Sequence, residues 1–515
     1  MRSALRLASA CLLALGLCAC GGGGGGSTTP TSPGDPGVLQ DNTAYAYTAN
    51  ASLGSAAEAV VSTDRSIALA GSTLSYTATV GHLNAGTAPL QASMFYVAYK
   101  GPAAAAGAPP RPLIFFYNGG PGSASVWLHL GSYGPRRVVT NDPGTNVPLP
   151  YSMVDNQETL LAVADLVFVD AVGTGYSEAI APASNQGFWN VDADAAIFRD
   201  FVIRYLAKFP NPNAPVVLVG ESYGGLRTPI VAQELLAAGV PLQGIVLQSA
   251  ILNYNSNCDV LNPGQVSCGG YIPSYGATAN WFQLAPGLAG ALVPAVQTLV
   301  DYVDTVYEPA AQLYIGESQP LGSMLDSQLA SFTGLTSSNW LNSPLLGPTQ
   351  FRSLLKPQQL LGRYDARVIA PVGSALASEG DPSSTASTPA FTNAIAAYLT
   401  ELKYQPAVAY EMSNDAAINA WGWQHDGNAL PDVIPDLATA LTLKPSLKVM
   451  AVLGYHDLAT PFHQTELDLE RLGSAPAGLQ VKRYVGGHMT YLDDSVRPTL
   501  ATDIRTFLDG LGSAP

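Results

Sequence analysis

A serine within a turn motif is the strongest chemical feature of the sequence. Residues 220–224 read Gly-Glu-Ser-Tyr-Gly, and four apolar residues directly precede them. The glycines permit a strand-to-helix turn tight enough to expose the Ser222 hydroxyl, as in a nucleophile elbow. Apolar residues at helical spacing follow over 229–236, which predicts a helix N-terminus at Ser222 that favours developing negative charge. The motif can occur by chance among 51 glycines, but the predicted strand and helix favour a nucleophile.

A nucleophilic serine needs a base, and the base needs an acid that holds its tautomer. In a doubly wound hydrolase sheet the acid and then the histidine follow the serine along the chain. Of the six histidines, only His488 comes after the last predicted strand, and it is the predicted base. Asp457 follows the preceding strand and is the predicted acid. Asp493 and Asp494 come after His488 and are expected to be surface charges, whereas the other histidines are expected to be structural or exposed.

The developing oxyanion needs two N–H donors. The first is predicted to be the backbone N–H of Tyr223, which follows the nucleophile. The second is predicted in the Asn-Gly-Gly-Pro-Gly-Ser loop at 118–123, where adjacent glycines let the backbone approach a substrate closely. This loop has neither a following Lys-Ser/Thr pair nor G-x-G-x-x-G spacing, so a phosphate-binding loop is excluded.

Short apolar runs predict the mostly parallel sheet that positions these groups. They lie at 113–117, 166–170, 216–219, 244–248, 449–453 and 481–485. Residues 57–100 alternate polar and apolar side chains, which predicts antiparallel hairpins. About 200 residues separate the fourth and fifth runs, too many for one crossover, and they predict an inserted lobe with helices near 288–307 and 389–402.

Composition limits the classes of protein to which this chain can belong. The chain has 515 residues, of which 47% are hydrophobic and 12% charged, so it can bury a large core and exceeds one simple domain. A net charge of −15 without a basic cluster argues against binding nucleic acid or an anionic membrane surface. The sequence leaves the oligomeric state open.

The N-terminus predicts export. Arg2 and Arg6 precede an apolar run at 8–17, which is too short to span a bilayer, and a small-residue segment ends at Cys20. Leu-Cys-Ala-Cys at 17–20 resembles a bacterial lipoprotein signal in which Cys20 is lipidated; ordinary signal cleavage nearby is the alternative. We expect a protein of the cell envelope or periplasm, anchored to the membrane only through Cys20, or otherwise a secreted one.

The domain boundaries follow from these observations. We expect a signal peptide at 1–20, a Gly/Ser/Pro-rich linker at 21–40, a first core part at 41–250, an inserted lobe at 251–445 and a second core part at 446–515. Outside the leader only Cys258 and Cys268 remain, and an exported protein favours a disulfide between them. A metal pair is the weaker alternative because no further cysteines or clustered histidines accompany them.

Four motifs in order resemble the serine carboxypeptidase family. They are the 118–123 loop, the 220–225 turn, Asp457 with Pro461, and Gly487-His488. The resemblance, to an exported bacterial member, extends from about residue 57 to the C-terminus and is least in the inserted lobe. It implies an α/β-hydrolase fold, a large helical cap lobe and hydrolysis of the last peptide bond of a polypeptide. Ser222 is then the nucleophile, His488 the base and Asp457 the orienting acid, with no metal or cofactor.

The resemblance also implies substrate-binding groups. Gly120 and Tyr223 would supply the oxyanion N–H groups, and Asn118, Gly119 and Glu221 would bind the substrate with its terminal carboxylate. Glu221 must be protonated to donate to a carboxylate, which predicts activity favoured by acid.

The sequence departs from the family pattern at Ser132, which stands where a second glutamate is usual. This change weakens the expectation of a strong acid preference. An esterase or acyltransferase on the same scaffold remains the alternative function. A catalytically idle binding protein is disfavoured because every triad member is present.

Overall fold

A ten-stranded mixed sheet lies at the centre of the molecule. The computed structural model describes residues 37–104, 107–140, 143, 149–211, 213–259, 262–288, 290–473 and 476–512. The predicted signal peptide with Cys20, and linker residues 21–36, lie outside these described residues.

The strands of the described residues are numbered along the chain. They are β1 (Leu39–Asp41), β2 (Val60–Leu69), β3 (Ser72–Thr87), β4 (Leu90–Lys100), β5 (Leu113–Tyr117), β6 (Arg136–Val138), β7 (Met153–Asp155), β8 (Asp165–Val169), β9 (Glu178–Ile180), β10 (Val216–Glu221), β11 (Leu242–Gln248), β12 (Gln359–Leu361), β13 (Ile369–Pro371), β14 (Tyr404–Pro406), β15 (Lys448–Gly454) and β16 (Leu479–Tyr484).

The α-helices are numbered in the same way. They are α1 (Val126–Leu128), α2 (Val191–Lys208), α3 (Tyr223–Ala237), α4 (Ile272–Trp281), α5 (Leu292–Tyr302), α6 (Glu308–Glu317), α7 (Ser323–Thr333), α8 (Ser337–Asn342), α9 (Pro348–Leu354), α10 (Pro382–Glu401), α11 (Asp415–Asn419), α12 (Ile434–Leu443), α13 (Phe462–Glu470) and α14 (Arg497–Asp509). The described residues also contain short π-helical turns at His129–Tyr133 and Val303–Tyr307 and a 3₁₀ turn at Thr490–Leu492.

The sheet order is β16-β15-β11-β10-β5-β8-β4-β3-β2, with β9 also paired to β4. The strands from β16 to β8 in this order are parallel to one another. Strand β4 is antiparallel to β8 and continues with β3 and β2 as an antiparallel meander. The predicted α/β-hydrolase fold class, with a mostly parallel sheet and N-terminal hairpins, is therefore confirmed.

Burial on both faces explains the apolar runs of the parallel strands. Every residue of β10 is buried. Leu218 faces the core that contains α2, α3 and α12, whereas Val217 and Val219 face the opposite core, which contains α10 and α14. This two-sided core fixes the carboxyl end of β10, where Ser222 follows.

The segment between β11 and β15 carries helices α4 to α12 and a third apolar core around Tyr275 and Trp340. The helix predicted at 389–402 begins earlier, at Pro382, because Asp381 caps its N-terminus by accepting from the Ser383 N–H. The helix predicted at 288–307 is instead α5 followed by a π-helical turn that leads into α6.

The linker predicted to reach residue 40 is wrong at its C-terminal end. Strand β1 pairs in parallel with β14, so residues 39 and 40 lie in a sheet with the inserted segment, and the Leu39 N–H donates to the Lys403 carbonyl oxygen. Among the described residues, no helix has the length and apolar character needed to cross a membrane.

Candidate active site

Ser222 lies between β10 and α3 with φ 61° and ψ −123°. This positive φ is a strained conformation for a serine and is the backbone geometry that an exposed nucleophile on a sharp turn requires. The neighbouring glycines are necessary. A Cβ at Gly220 would overlap the Gly224 carbonyl oxygen, and a Cβ at Gly224 would lie 2.8 Å from the Tyr117 carbonyl oxygen.

The predicted base and acid are in direct contact. His488 Nδ1 lies 2.7 Å from Asp457 Oδ2, and both side chains are buried. The other carboxylate oxygen, Oδ1, accepts from the N–H groups of Ala459 (2.7 Å) and Thr460 (3.0 Å). Donation from Nδ1 to Asp457 leaves Nε2 of His488 as the basic nitrogen. Burial would lower the pKa of His488, but the charge and hydrogen bond of Asp457 outweigh it and raise that pKa.

The inserted segment holds the His488 loop from outside the core. The Tyr364 ring stacks on the imidazole with ring centres 4.8 Å apart, and the Tyr364 carbonyl oxygen accepts from the His488 N–H at 2.6 Å. From the core, the Ser249 hydroxyl donates to the His488 carbonyl oxygen at 2.6 Å. Sequence reasoning missed Tyr364, because nothing in its local pattern shows that the insertion folds back onto this loop.

One small cavity of about 30 Å³ brings the predicted groups together. Ser222 and His488 both line it, together with Asn118, Gly119, Gly120 and Glu221. The remaining lining side chains are those of Ser123, Trp127, Tyr364, Ser384 and Met489. The predicted nucleophile, base and polar binding groups therefore line the same cavity.

The loop and the helix that carry the predicted oxyanion donors pack against each other. The Tyr223 N–H is the first of α3 and so has no acceptor within the helix. Gly120 has φ +105°, a backbone conformation that favours glycine. A Cβ on the adjacent Gly119 would overlap the Tyr223 nitrogen, so the 118–120 backbone packs directly on the start of α3.

Glu221 and Asn118 form a buried pair beside the nucleophile. Asn118 Nδ2 donates to Glu221 Oε1 at 2.8 Å, and Asn118 Oδ1 accepts from the Leu128 N–H at 3.1 Å. Burial raises the pKa of Glu221 to about 7, although the charge of His488 and the hydrogen bond from Asn118 oppose this rise. At mildly acidic pH the carboxyl is therefore protonated and can donate a hydrogen bond.

Arg227, one turn into α3, is a supporting residue that sequence reasoning missed. Its guanidinium is fully buried, pairs with Asp194 of α2 at 2.6 Å and donates to the Asn118 carbonyl oxygen at 2.9 Å. It also lies over the rings of Tyr117, Phe198 and Tyr223, 4.2 to 5.4 Å from their centres. Arg227 thus ties the 118–120 loop to the helix that carries the elbow.

Several residues outside the predicted triad have surroundings that differ from those expected. Asp493, expected on the surface, is buried and pairs with Arg367 at 3.1 Å, because Arg367 of the insertion reaches the His488 loop. The Asp494 side chain is 47% exposed, as expected. The other five histidines are all buried, so those expected on the surface are structural. Their positions are His82, His129, His425, His456 and His463.

Cys258 and Cys268 are joined by a disulfide within the inserted segment. Among the described residues, His425, Asp426 and Asp436 form the one cluster whose geometry could hold a metal ion. Both ring nitrogens of His425 are already engaged, Nδ1 by Asp192 at 2.6 Å and Nε2 by Asp436 at 3.2 Å.

The sheet topology and the Ser-Asp-His arrangement define an α/β hydrolase. A family model described as serine carboxypeptidase matches residues 70–270. The matched residues include the 118–123 loop and the 220–225 turn, so the match confirms the resemblance to the serine carboxypeptidase family over this part of the chain.

Curated relatives are similar over limited segments. Serine carboxypeptidase-like 36 of Arabidopsis thaliana is 31% identical over 151 residues, 28% of this chain and 29% of the relative. The pheromone-processing carboxypeptidase KEX1 of Saccharomyces cerevisiae is 31% identical over 137 residues, 24% of this chain and 17% of the relative. The alignments thus span less than a third of either relative.

The fold is similar over a larger part of the chain. The crystal structure of a prohormone-processing carboxypeptidase from Saccharomyces cerevisiae superposes with a TM-score of 0.53 at 15% identity. This superposition covers 84% of this chain and 91% of that structure.

Proposed function

We propose that this protein is a serine-type carboxypeptidase that removes the C-terminal residue of peptides. The observation that carries this proposal is the buried Asn118–Glu221 pair in the same cavity as Ser222. A general esterase needs the nucleophile, base and acid but no group that recognises a carboxylate. Here, a carboxyl whose pKa is raised to about 7 and an amide line the cavity that contains Ser222, and they would bind the terminal carboxylate of the leaving residue.

The reaction proceeds through an acyl-enzyme. Ser222 Oγ attacks the last peptide carbonyl as His488 Nε2 removes the hydroxyl proton, and the N–H groups of Gly120 and Tyr223 stabilise the oxyanion. His488 then gives this proton to the leaving nitrogen as the C–N bond breaks, which releases the terminal amino acid. Water, deprotonated by His488, attacks the ester, and the proton returns to Ser222 as the shortened peptide leaves.

The position of Glu221 selects substrates with a free terminus. The neutral carboxyl donates to the substrate carboxylate, whereas an ionised Glu221 would repel it. The family match over residues 70–270 and the names of the curated relatives support the same activity. Peptides with free C-termini are therefore the proposed substrates.

Export and lipid anchoring at Cys20 complete the proposal. The apolar run at 8–17 and the Leu-Cys-Ala-Cys sequence at 17–20 support it, and the Gly-rich residues that follow would serve as a tether. Incorporation of labelled fatty acid into the wild type but not into Cys20→Ser would support anchoring. An unlabelled wild type found outside the cell would indicate secretion instead.

Peptides that differ only at the terminus test the activity. Wild-type protein should release single amino acids from N-blocked dipeptides with a free carboxylate and cleave the amidated forms at least about 100-fold more slowly. Ser222→Ala should lower kcat by up to about 10⁶-fold, since loss of the nucleophile removes the acyl-enzyme route. Ser327→Ala, at an exposed position of α7, is the matched control. Cleavage of simple esters without cleavage of free peptide termini would favour the esterase alternative and overturn the proposal.

A further inference from the structure

Two buried polar atoms beside the proposed carboxylate-binding pair lack hydrogen-bond partners. They are Oε2 of Glu221 and the hydroxyl of Tyr491, and no described residue lies within good hydrogen-bond geometry of either. Leaving such atoms unpaired is costly in a folded protein, so each needs an explanation. The Glu221 carboxyl and the Tyr491 hydroxyl are close enough to interact, and this interaction lowers the pKa of Glu221 against the larger effect of burial.

The Tyr491 ring is fixed against the segment that departs from the family pattern. A Cβ added to Gly131 would overlap the edge of the Tyr491 ring, and the Tyr133 ring lies 5.5 Å from it between centres. Ser132, which stands where a second glutamate is usual, lies buried between these two contacts in the His129–Tyr133 turn. The small Ser132 thus accompanies a large ring that packs on both of its neighbours.

Tyr133, the tyrosine of the His129–Tyr133 turn, already uses its hydroxyl as a donor. The Tyr133 hydroxyl donates to Gln248 Oε1 at 3.1 Å, and the Gln248 amide nitrogen donates to Thr490 Oγ1 at 3.1 Å. The Tyr491 hydroxyl, in contrast, has no partner in good hydrogen-bond geometry among the described residues, although it lies near Glu221 and Asn118. Burial, and then the nearby carboxyl of Glu221, raise the pKa of Tyr491 well above its ordinary value, so its hydroxyl keeps its proton.

We propose that Tyr491 is a positioning residue that donates its hydroxyl to Oε2 of Glu221, in the place where the family pattern has a second carboxyl. This inference rests on the proposed carboxypeptidase function. Two adjacent carboxyls share one proton and hold one of the pair neutral to high pH. The phenol of Tyr491 keeps its proton and can donate it to Oε2, and a hydrogen-bond donor stabilises the ionised form of Glu221. This chain should therefore lose carboxylate binding at a lower pH than a protein with a carboxyl pair.

Several titratable groups face Glu221 from other elements. His488 and Asp457 act on it from the loops after β16 and β15, and Tyr133 and Tyr364 interact with it from the π-helical turn and the insertion. All four remain in place when only the Tyr491 hydroxyl is removed. A change in the titration of Glu221 in Tyr491→Phe therefore reports on that one hydroxyl.

The kinetic test compares kcat/KM across pH for Tyr491→Phe and the wild type. On peptides with a free C-terminus, kcat/KM should fall at high pH as Glu221 ionises. The pH of this fall should be higher by about one unit in Tyr491→Phe than in the wild type. An ester without a carboxylate should show no shift, and neither should Tyr491→Phe in a Glu221→Gln background. Tyr96→Phe is the matched control, because its hydroxyl is also buried without a partner but points elsewhere in the core. A fall at the same pH in both proteins, or the same shift with the ester, would overturn the proposal.

A spectroscopic titration separates this inference from the proposed activity. The infrared carboxyl band that disappears in Glu221→Gln identifies Glu221, and its pKa should rise in Tyr491→Phe without any substrate present. If the wild type cleaves no peptide but this shift occurs, the proposed function fails and the Tyr491–Glu221 pair stands. If peptides are cleaved and the band titrates identically in both proteins, the pair fails and the function stands.

Discussion

At the residue scale, two carboxyls about the nucleophile have opposite surroundings and opposite roles. Asp457 accepts from two backbone N–H groups and from His488, so it fixes the orientation of the imidazole. Glu221 accepts one hydrogen bond of good geometry, from Asn118, and burial raises its pKa to about 7. Asp457 is thus an acceptor for three donors, whereas Glu221, once protonated, can act as a donor.

Asp457→Asn tests the orienting role. An amide at this position cannot accept from His488 Nδ1 as a carboxylate does, so the imidazole adopts the wrong tautomer and kcat should fall by about 10⁴-fold. Initial rates on a blocked dipeptide, with the labelling rate of Ser222 by a fluorophosphonate, would measure the loss. Asp494→Asn, at an exposed carboxylate close in sequence to His488, should leave both rates unchanged. A loss below 10-fold in Asp457→Asn would contradict the assigned role.

The pH profile of kcat/KM tests Glu221 directly. His488 must be neutral to act as base, so the rate rises as pH passes its raised pKa. Glu221 must be protonated to bind a carboxylate, so the rate on free peptide termini falls as pH rises above about 7. Esters without a carboxylate should show the rise but not the fall, and Glu221→Gln should lose the fall on peptides. An identical fall in Glu221→Gln would exclude Glu221 as its source.

The sequence predicts those site residues that belong to a short motif, and it misses those that act through contacts with distant segments. Ser222, Tyr223 and Gly120 belong to short motifs whose backbone geometry is encoded by adjacent glycines. Tyr364, Arg227 and Tyr491 act through contacts with distant segments, and no spacing rule shows such contacts.

At the element scale, the elbow depends on how α2 and α3 are joined beneath it. Arg227 and Asp194 form a fully buried ion pair between these helices, and Arg227 also holds the Asn118 carbonyl. The parallel strands were predictable because burial on both faces makes each a continuous apolar run. The pairing of β1 with β14 was not, because three-residue strands carry no periodic pattern and their pairing joins residues far apart in sequence.

Arg227→Met should destabilise the protein by about 3–5 kcal/mol, because it leaves the Asp194 carboxylate buried and unpaired. Chemical denaturation followed by fluorescence would measure the change in the free energy of unfolding. The double variant Arg227→Met with Asp194→Leu should recover most of the loss, since no buried charge remains. Equal stability of the single and double variants would show that lost packing, not the unpaired charge, sets the cost.

The disulfide should stabilise the inserted segment. Cys258 and Cys268 close a loop with a sequence separation of 10, for which restriction of the unfolded chain predicts about 2–3 kcal/mol. Cys258→Ser with Cys268→Ser should therefore lower the free energy of unfolding by about this amount. Reducing agent should lower the thermal midpoint of the wild type but not that of the double variant. An equal response of both proteins to the reductant would contradict a stabilising disulfide.

At the scale of the whole molecule, buried acids and histidines couple stability to pH. The net charge of −15 comes from 38 acidic and 23 basic residues, and several buried groups hold protons that they would lose in water. Burial raises the pKa values of Asp170 and Asp468 to about 7. Folded carboxyls of this kind bind protons that the unfolded chain has released, so they favour folding at acidic pH.

His425 and His463 extend this dependence to alkaline pH. The hydrogen bonds of His425 with Asp436 and Asp192 raise its pKa to about 9. Burial would lower the pKa of His463, but hydrogen bonds with Asp304 and Glu466 outweigh it and raise that pKa to about 9. Each folded pKa lies above the ordinary value of about 6.5, so this stabilisation is complete below pH 6.5 and is lost as pH rises towards 9.

The thermal midpoint should therefore fall by a few degrees between pH 7 and pH 9. Scanning calorimetry at constant ionic strength would measure it in the wild type, His425→Gln and His463→Gln. Each variant lacks one proton-binding group, so its midpoint should depend less on pH in this interval, whatever its midpoint at pH 7. His82→Gln is the matched control, since burial lowers the pKa of His82 and keeps it neutral in this range, in the folded and unfolded states alike. A wild-type midpoint that stays constant from pH 7 to pH 9 would contradict the protonated state of both histidines. Their deprotonation must weaken the ion pairs of His425 with Asp192 and Asp436 and those of His463, in helix α13, with Asp304 and Glu466.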